Sequence, residues 1–156
     1  MSKKLLLVFS HLGVAVLGFA LGVYTLPILM APDPPEIEDV VVLEQTATYT
    51  GEFRRDLADS DFLHWGEGVV YLSPESIVFK GELAPGPAYR LYLSPEFVET
   101  EAAFEALRPQ MVAIGGVDTF ENFIVPVPDA VDLSRFNTVI IWCESFSQFI
   151  TAARYR

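Results

Sequence analysis

The feature that most limits how this chain can fold is an uncharged, apolar run near its N-terminus, from Leu5 to Ala31. As a helix, with a rise of about 1.5 Å per residue, this run is about 40 Å long, whereas the hydrocarbon core of a bilayer is about 30 Å thick. It therefore predicts a single transmembrane anchor over residues 1–31. A secretory signal also starts with basic residues, and Ala20-Leu21-Gly22 offers small residues for cleavage, so a cleaved signal peptide is the alternative.

Charges on the two sides of this run predict how it is oriented. Lys3 and Lys4 precede it, and acidic residues follow it between positions 33 and 39. Because basic residues stay on the cytoplasmic side, we expect a cytoplasmic N-terminus and a periplasmic or extracellular domain. Gly18 and Gly22 lie about one helical turn apart, and this spacing would allow two such helices to form a homodimer.

The overall charge and length exclude several classes of function. The chain has 10 basic and 21 acidic side chains, a net charge of −11. This charge repels phosphate backbones, so nucleic acid is not an expected partner. The length suits one core rather than separate cofactor and substrate domains. No nucleophile-elbow or zinc-protease motif occurs, so we do not expect a stand-alone hydrolase.

Beyond the apolar run, the sequence predicts a linker and then one β-rich domain. Residues 32–45 hold three prolines and an acidic stretch, which is typical of a solvated linker. A single short helix is predicted from Pro95 to Leu107, with Ser94 as its N-cap. Residues 46–156 otherwise predict an all-β fold, an antiparallel β-sandwich. Its predicted strands are Thr46–Phe53, Gly68–Leu72, Ser76–Lys80, Tyr89–Leu93, Met111–Val117, Phe123–Val127, Thr138–Cys143 and Gln148–Ala153.

Two side chains of this domain are candidates for chemistry, its single cysteine, Cys143, and its single histidine, His64. Cys143 ends an apolar strand, where a thiol often acts as a small hydrophobic side chain. An unpaired cysteine in an oxidising compartment is otherwise shielded, paired between chains or used. Two ligands are too few for a zinc site, so no metal site is predicted. A thiolate or an imidazole could still serve as an axial ligand of a non-covalently bound haem.

Six segments between about Gly51 and Tyr155 form a recognisable combination: Gly51–Phe53, Asp61–Gly68, Leu83–Pro87, Tyr89–Ser94, Val125-Pro126 and Val139–Phe146, the last with its Trp142-Cys143 pair. Together these segments resemble the DM-thirteen domain family. The resemblance implies a β-sandwich related to DOMON domains and a role in electron transfer. It also implies that Cys143 works as a bare thiol or binds a prosthetic group such as haem. Ala88 stands where the family usually has Asp. The resemblance also implies an accessory electron-transfer domain rather than a stand-alone enzyme.

These observations lead to two hypotheses from different functional classes. The first is a membrane-tethered, extracytoplasmic redox module centred on Cys143, with His64 and Trp142 as further candidate site residues and with an unknown redox partner protein. Its cofactor is either a non-covalent haem or none. The alternative is a non-catalytic β-sandwich that binds a ligand or a protein through its loops and keeps Cys143 as part of its core.

Overall fold

A computed structural model describes residues 2–156, and its first element is a long apolar helix. Helix α1 (Lys3–Met30) begins at the N-cap Ser2, whose Oγ accepts a hydrogen bond from the Leu5 N–H at 3.4 Å. Its most apolar window has a mean hydropathy of 2.2, and none of that window is buried. The helix is long and apolar enough to cross a membrane. A signal sequence at the N-terminus has the same features.

The rest of the chain is mainly β-structure, as the sequence predicts. Eight antiparallel strands form two four-stranded sheets, with the strand orders β1-β2-β3-β6 and β5-β4-β7-β8. Every predicted strand overlaps one of them, and the predicted Thr138–Cys143 coincides with β7. The predicted antiparallel all-β fold is therefore confirmed. The strands are β1 (Tyr49–Phe53), β2 (Gly66–Leu72), β3 (Ser76–Leu83), β4 (Tyr89–Ser94), β5 (Val112–Val117), β6 (Phe123–Pro126), β7 (Thr138–Cys143) and β8 (Gln148–Arg154).

The main core lies between the two sheets. Strand β7 contributes side chains to this core and to a second apolar cluster on the outer face of its sheet. Successive side chains of a strand point to opposite faces of the sheet. Val139, Ile141 and Cys143 accordingly belong to the core between the sheets. Ile140 and Trp142 belong to a second apolar cluster on the outer face of the same sheet. All six residues of β7 are buried, so this strand fixes the position of Cys143 tightly.

The predicted helix from Pro95 to Leu107 is only partly correct. Helix α3 covers Glu101–Leu107, and its N-cap is Thr100, whose Oγ1 accepts a hydrogen bond from the Ala103 N–H at 3.2 Å. Ser94 is instead the last residue of β4, and its Oγ donates to the Glu96 carbonyl at 2.6 Å. The predicted start is wrong because a Ser-Pro pair favours a turn as readily as a helix start.

The predicted linker, residues 32–45, contains a second short helix. Helix α2 covers Ile37–Glu44, and Glu38 and Asp39 lie in its first turn, where a carboxylate interacts favourably with the helix dipole. Val40 is fully buried and α2 packs against β3. Glu44 also lies 3.6 Å from the Lys80 ammonium group. A prediction from prolines and acidic residues misses this helix because a single buried side chain attaches it to the domain.

Candidate functional site

Cys143 and His64, which are distant in the sequence, line one apolar cleft of about 560 Å³. Cys143 is the last residue of β7, and His64 lies in the loop that joins β1 to β2. The volume falls within the range of about 300–1,000 Å³ that is typical of small-molecule sites. The structure therefore brings these two predicted site residues together. The other lining residues are Phe19, Ala20, Val23 and Tyr24 of α1, and Leu63, Pro85, Gly86, Pro87, Tyr89, Phe146, Gln148 and Ile150 of the domain.

The thiol of Cys143 is shielded from water and protonated. The residue is only 3% exposed, and Sγ donates a hydrogen bond to the Pro87 carbonyl at 3.1 Å. Burial raises the pKa of the thiol, although the backbone N–H groups of Phe146 and Ser145 act in the opposite direction. A protonated and buried thiol is a poor nucleophile. In this conformation Cys143 can therefore contact a bound group but cannot readily attack a substrate.

The imidazole of His64 is held in place by Asp61, a residue that the sequence reasoning missed. Nδ1 lies 3.0 Å from Asp61 Oδ2, while Asp61 Oδ1 accepts hydrogen bonds from the N–H groups of Leu63 at 2.7 Å and His64 at 2.8 Å. Burial pushes the pKa of Asp61 upward, but these hydrogen bonds outweigh it and hold the pKa below its usual value. The ionised carboxylate fixes the proton on Nδ1, so Nε2 is left as the ring nitrogen for a ligand.

Trp142, the third predicted site residue, does not line the cleft. Its ring stacks on Phe104 of α3, with centroids 3.9 Å apart and planes 8° apart, on the outer face of the sheet. The indole N–H is buried and has no hydrogen-bond partner among the described residues. Trp142 therefore lies on the face of the sheet that is opposite to the cleft.

Glu144, which follows Cys143, is held by groups outside the cleft. Its carboxylate accepts a hydrogen bond from Arg108 Nη2 at 2.8 Å and another from the Tyr92 hydroxyl. Burial and the contact with Glu144 raise the pKa of Tyr92, which therefore stays protonated and donates. Because the guanidinium compensates its charge, Glu144 is a structural acid here rather than a proton acceptor for the thiol.

A family model described as electron transfer DM13 matches residues 56–155, a range that includes both cleft residues. This chain belongs to the electron transfer DM13 family. No curated protein and no solved structure matches the chain. Membership indicates a redox-related role for the domain. The matched range covers all of the domain's β-strands except β1.

The cleft of this DM13 domain suits an apolar group that is held through one ring nitrogen. His64 Nε2 and Cys143 Sγ are both of the ligand types that bind haem iron. Among residues 2–156, no Lys or Arg side chain lines the cleft, so its lining offers no positive charge to the acidic groups of a haem. In residues 2–156 no group of three or more His, Cys, Asp or Glu side chains is placed to hold a metal ion. The cleft thus offers one imidazole and one thiol, two side chains of the types that ligate haem iron.

One wall of the DM13 cleft is a strained loop, and relieving the strain should stabilise the domain. Ala88 has a φ of 51°, a left-handed conformation that favours glycine. We expect Ala88→Gly to raise the free energy of unfolding by about 1 kcal/mol. Ala113→Gly, at the second residue of β5, is the matched control and should lower the free energy of unfolding by about 0.5–1 kcal/mol. Urea unfolding compares the two variants, and a less stable Ala88→Gly protein would contradict the expectation.

Proposed function

We propose that this chain is a membrane-tethered, extracytoplasmic electron-transfer module whose redox centre lies in the cleft between Cys143 and His64. The observation that carries the proposal is that the domain's only cysteine and only histidine, both within the family-matched region, line one apolar cleft. Lys3 and Lys4 ahead of α1 favour a cytoplasmic N-terminus. The domain would then work outside the cytoplasm.

Each cleft residue has a distinct role in this proposal. His64 binds the redox group through Nε2, and Asp61 holds the ring in the tautomer that leaves this nitrogen free. Cys143 contributes its buried Sγ, and the Ser145 and Phe146 N–H groups would stabilise a thiolate there. A haem-type group, when bound, supplies a one-electron couple. An unknown redox partner protein would exchange electrons at the open side.

The alternative function is a binding module without redox chemistry. The burial and protonation of Cys143 favour it, because the same observations describe a small side chain that fills a core. Under this alternative the cleft takes an apolar ligand, and the thiol matters only for packing.

An absorbance spectrum of the full chain, purified from the membrane of its own host, distinguishes the two functions. We expect a visible chromophore that His64→Gln abolishes, because Nε2 is the ligand nitrogen. Cys143→Ala should shift or remove the same absorbance. Val139→Ala is the matched control, since it truncates an inward-facing side chain of the same strand away from the cleft, and it should leave the spectrum unchanged.

The opposite results would favour the binding module. They are a colourless wild-type protein and a Cys143→Ala variant that differs from Val139→Ala only in stability. Because both substitutions remove packing from one strand, loss of stability alone cannot explain a spectral change that is confined to Cys143→Ala.

A further inference from the structure

Large exposed apolar side chains are confined to one end of the β-domain. From residue 46 onward these side chains are Phe62, Leu63 and Phe146, which are 84%, 39% and 51% exposed. Leu63 and Phe146 line the Cys143 cleft, and Phe62 directly precedes Leu63. We refer to Phe62, Leu63 and Phe146 as the apolar tip. Exposed phenylalanines grouped at one place indicate a surface that contacts something apolar.

Helix α1 runs past the same cleft, and its length indicates how deep the cleft lies relative to the bilayer. Its 28 residues measure about 42 Å at about 1.5 Å per residue, whereas about 20 residues suffice to cross the hydrocarbon core. Counted from Leu5, the hydrocarbon core would end close to Tyr24, and aromatic side chains favour that boundary. The α1 residues that line the cleft are Phe19, Ala20, Val23 and Tyr24, and they therefore lie within about 8 Å of the outer boundary of the hydrocarbon core.

We infer that the apolar tip inserts into the outer surface of the bilayer that holds α1, so that the Cys143 cleft opens at the membrane boundary. The inference rests on the proposed function in one respect, that α1 remains as an anchor. Lipid explains both observations together, because the same surface surrounds α1 and covers the three exposed side chains.

Charge distinguishes this contact from the usual electrostatic attachment to membranes. The chain has a net charge of −11, and Asp61 lies next to Phe62 in the tip loop. Anionic lipid therefore repels the domain instead of attracting it. On zwitterionic vesicles we expect the contact to be strong and nearly independent of salt, since apolar burial does not depend on screening. On anionic vesicles it should be weaker, and added salt should strengthen it by screening the repulsion.

Tryptophan fluorescence of the full chain in phosphatidylcholine vesicles tests the inference. Bromine atoms attached near the head-group end of the acyl chains quench an indole that enters the bilayer surface. We expect the indole added by Phe146→Trp to be quenched and its emission to shift to shorter wavelength. The control is Ser134→Trp, at an exposed position in the turn before β7, at the opposite end of the sandwich, and it should be unaffected.

The signal of the native Trp65 and Trp142 is measured in the wild-type chain and subtracted. In Phe146→Trp protein that also carries Phe62→Ser, the quenching should decrease, because the tip then loses the phenylalanine that is most exposed in the wild type. The inference is overturned if the emission of Phe146→Trp is the same in brominated and unbrominated vesicles, as is expected for Ser134→Trp.

Failure of this inference can be separated from failure of the proposed function. An unquenched tip in a protein that carries the chromophore refutes the membrane contact and leaves the redox proposal intact. A quenched tip in a colourless protein supports the contact and argues against the redox proposal. If mass spectrometry of the intact purified protein shows that α1 has been removed, the membrane contact is overturned, because no anchor would then hold the tip at the bilayer.

Discussion

Trp142→Ala should lower the free energy of unfolding of this domain by about 3–5 kcal/mol, the usual cost of truncating a fully buried aromatic side chain. Trp142 is 0% exposed and stacks on Phe104, which is equally buried. Removing the indole leaves a cavity between β7 and α3, and neither the strand nor the helix can close it without losing its own contacts. Urea unfolding of the full chain in detergent micelles, followed by circular dichroism, measures the loss.

Trp142→Phe is the matched control for that experiment. A phenyl ring preserves the stacking on Phe104, and it also removes a buried N–H that has no hydrogen-bond partner among the described residues. We therefore expect a much smaller loss of stability than for Trp142→Ala. The absorbance of the cleft should not change in Trp142→Phe, because the side chain lies on the other face of the sheet. An altered spectrum would contradict that placement.

Gly68→Ala should lower stability by about 3 kcal/mol or more, enough to reduce the yield of folded protein. Gly68 has a φ of +142°, and it pairs with Gly81 across β2 and β3. A Cβ atom at Gly68 would lie 2.3 Å from the Lys80 carbonyl oxygen and 2.7 Å from the Gly81 Cα. Both neighbours are backbone atoms in a paired strand, so they cannot move aside cheaply.

Gly116→Ala, in β5, provides the control. A Cβ atom there would lie no closer than 3.8 Å to any neighbouring atom outside the adjacent residues, and its φ is not in the left-handed region. We expect this variant to be as stable as the wild type or slightly more stable, because alanine restricts the unfolded chain. If thermal melts of the two variants coincide, then the close approach of β2 and β3 does not constrain position 68.

The strands could be predicted from sequence because their signals are local. Runs of apolar and β-branched residues mark the strands, and turns that contain Pro or Gly separate several of them. The predicted bounds of β7 coincide with the observed ones. Helix α2 could not be found in this way, because it depends on a tertiary contact of Val40. The start of the predicted Pro95–Leu107 helix was wrong for a related reason, since the Ser94-Pro95 pair suits a turn and a helix equally.

The site was only partly predictable. Cys143 and His64 stood out as the only residues of their types in the domain, but nothing in their spacing shows that they share a cleft. Their meeting depends on how the β1–β2 loop folds over the end of the sandwich. Trp142 is different, because strand alternation alone predicts that it faces away from Cys143. Asp61 could have been found as an acid three residues before His64, a spacing that suits a capped turn.

The central claim, that the Cys143–His64 cleft holds the redox centre, is tested most directly by voltammetry of the full chain purified from its own host membrane. The account predicts a reversible one-electron wave from the wild type that is absent in His64→Gln and retained in Trp142→Phe. A wild-type protein without a wave, or the same wave in His64→Gln and Cys143→Ala, would contradict it.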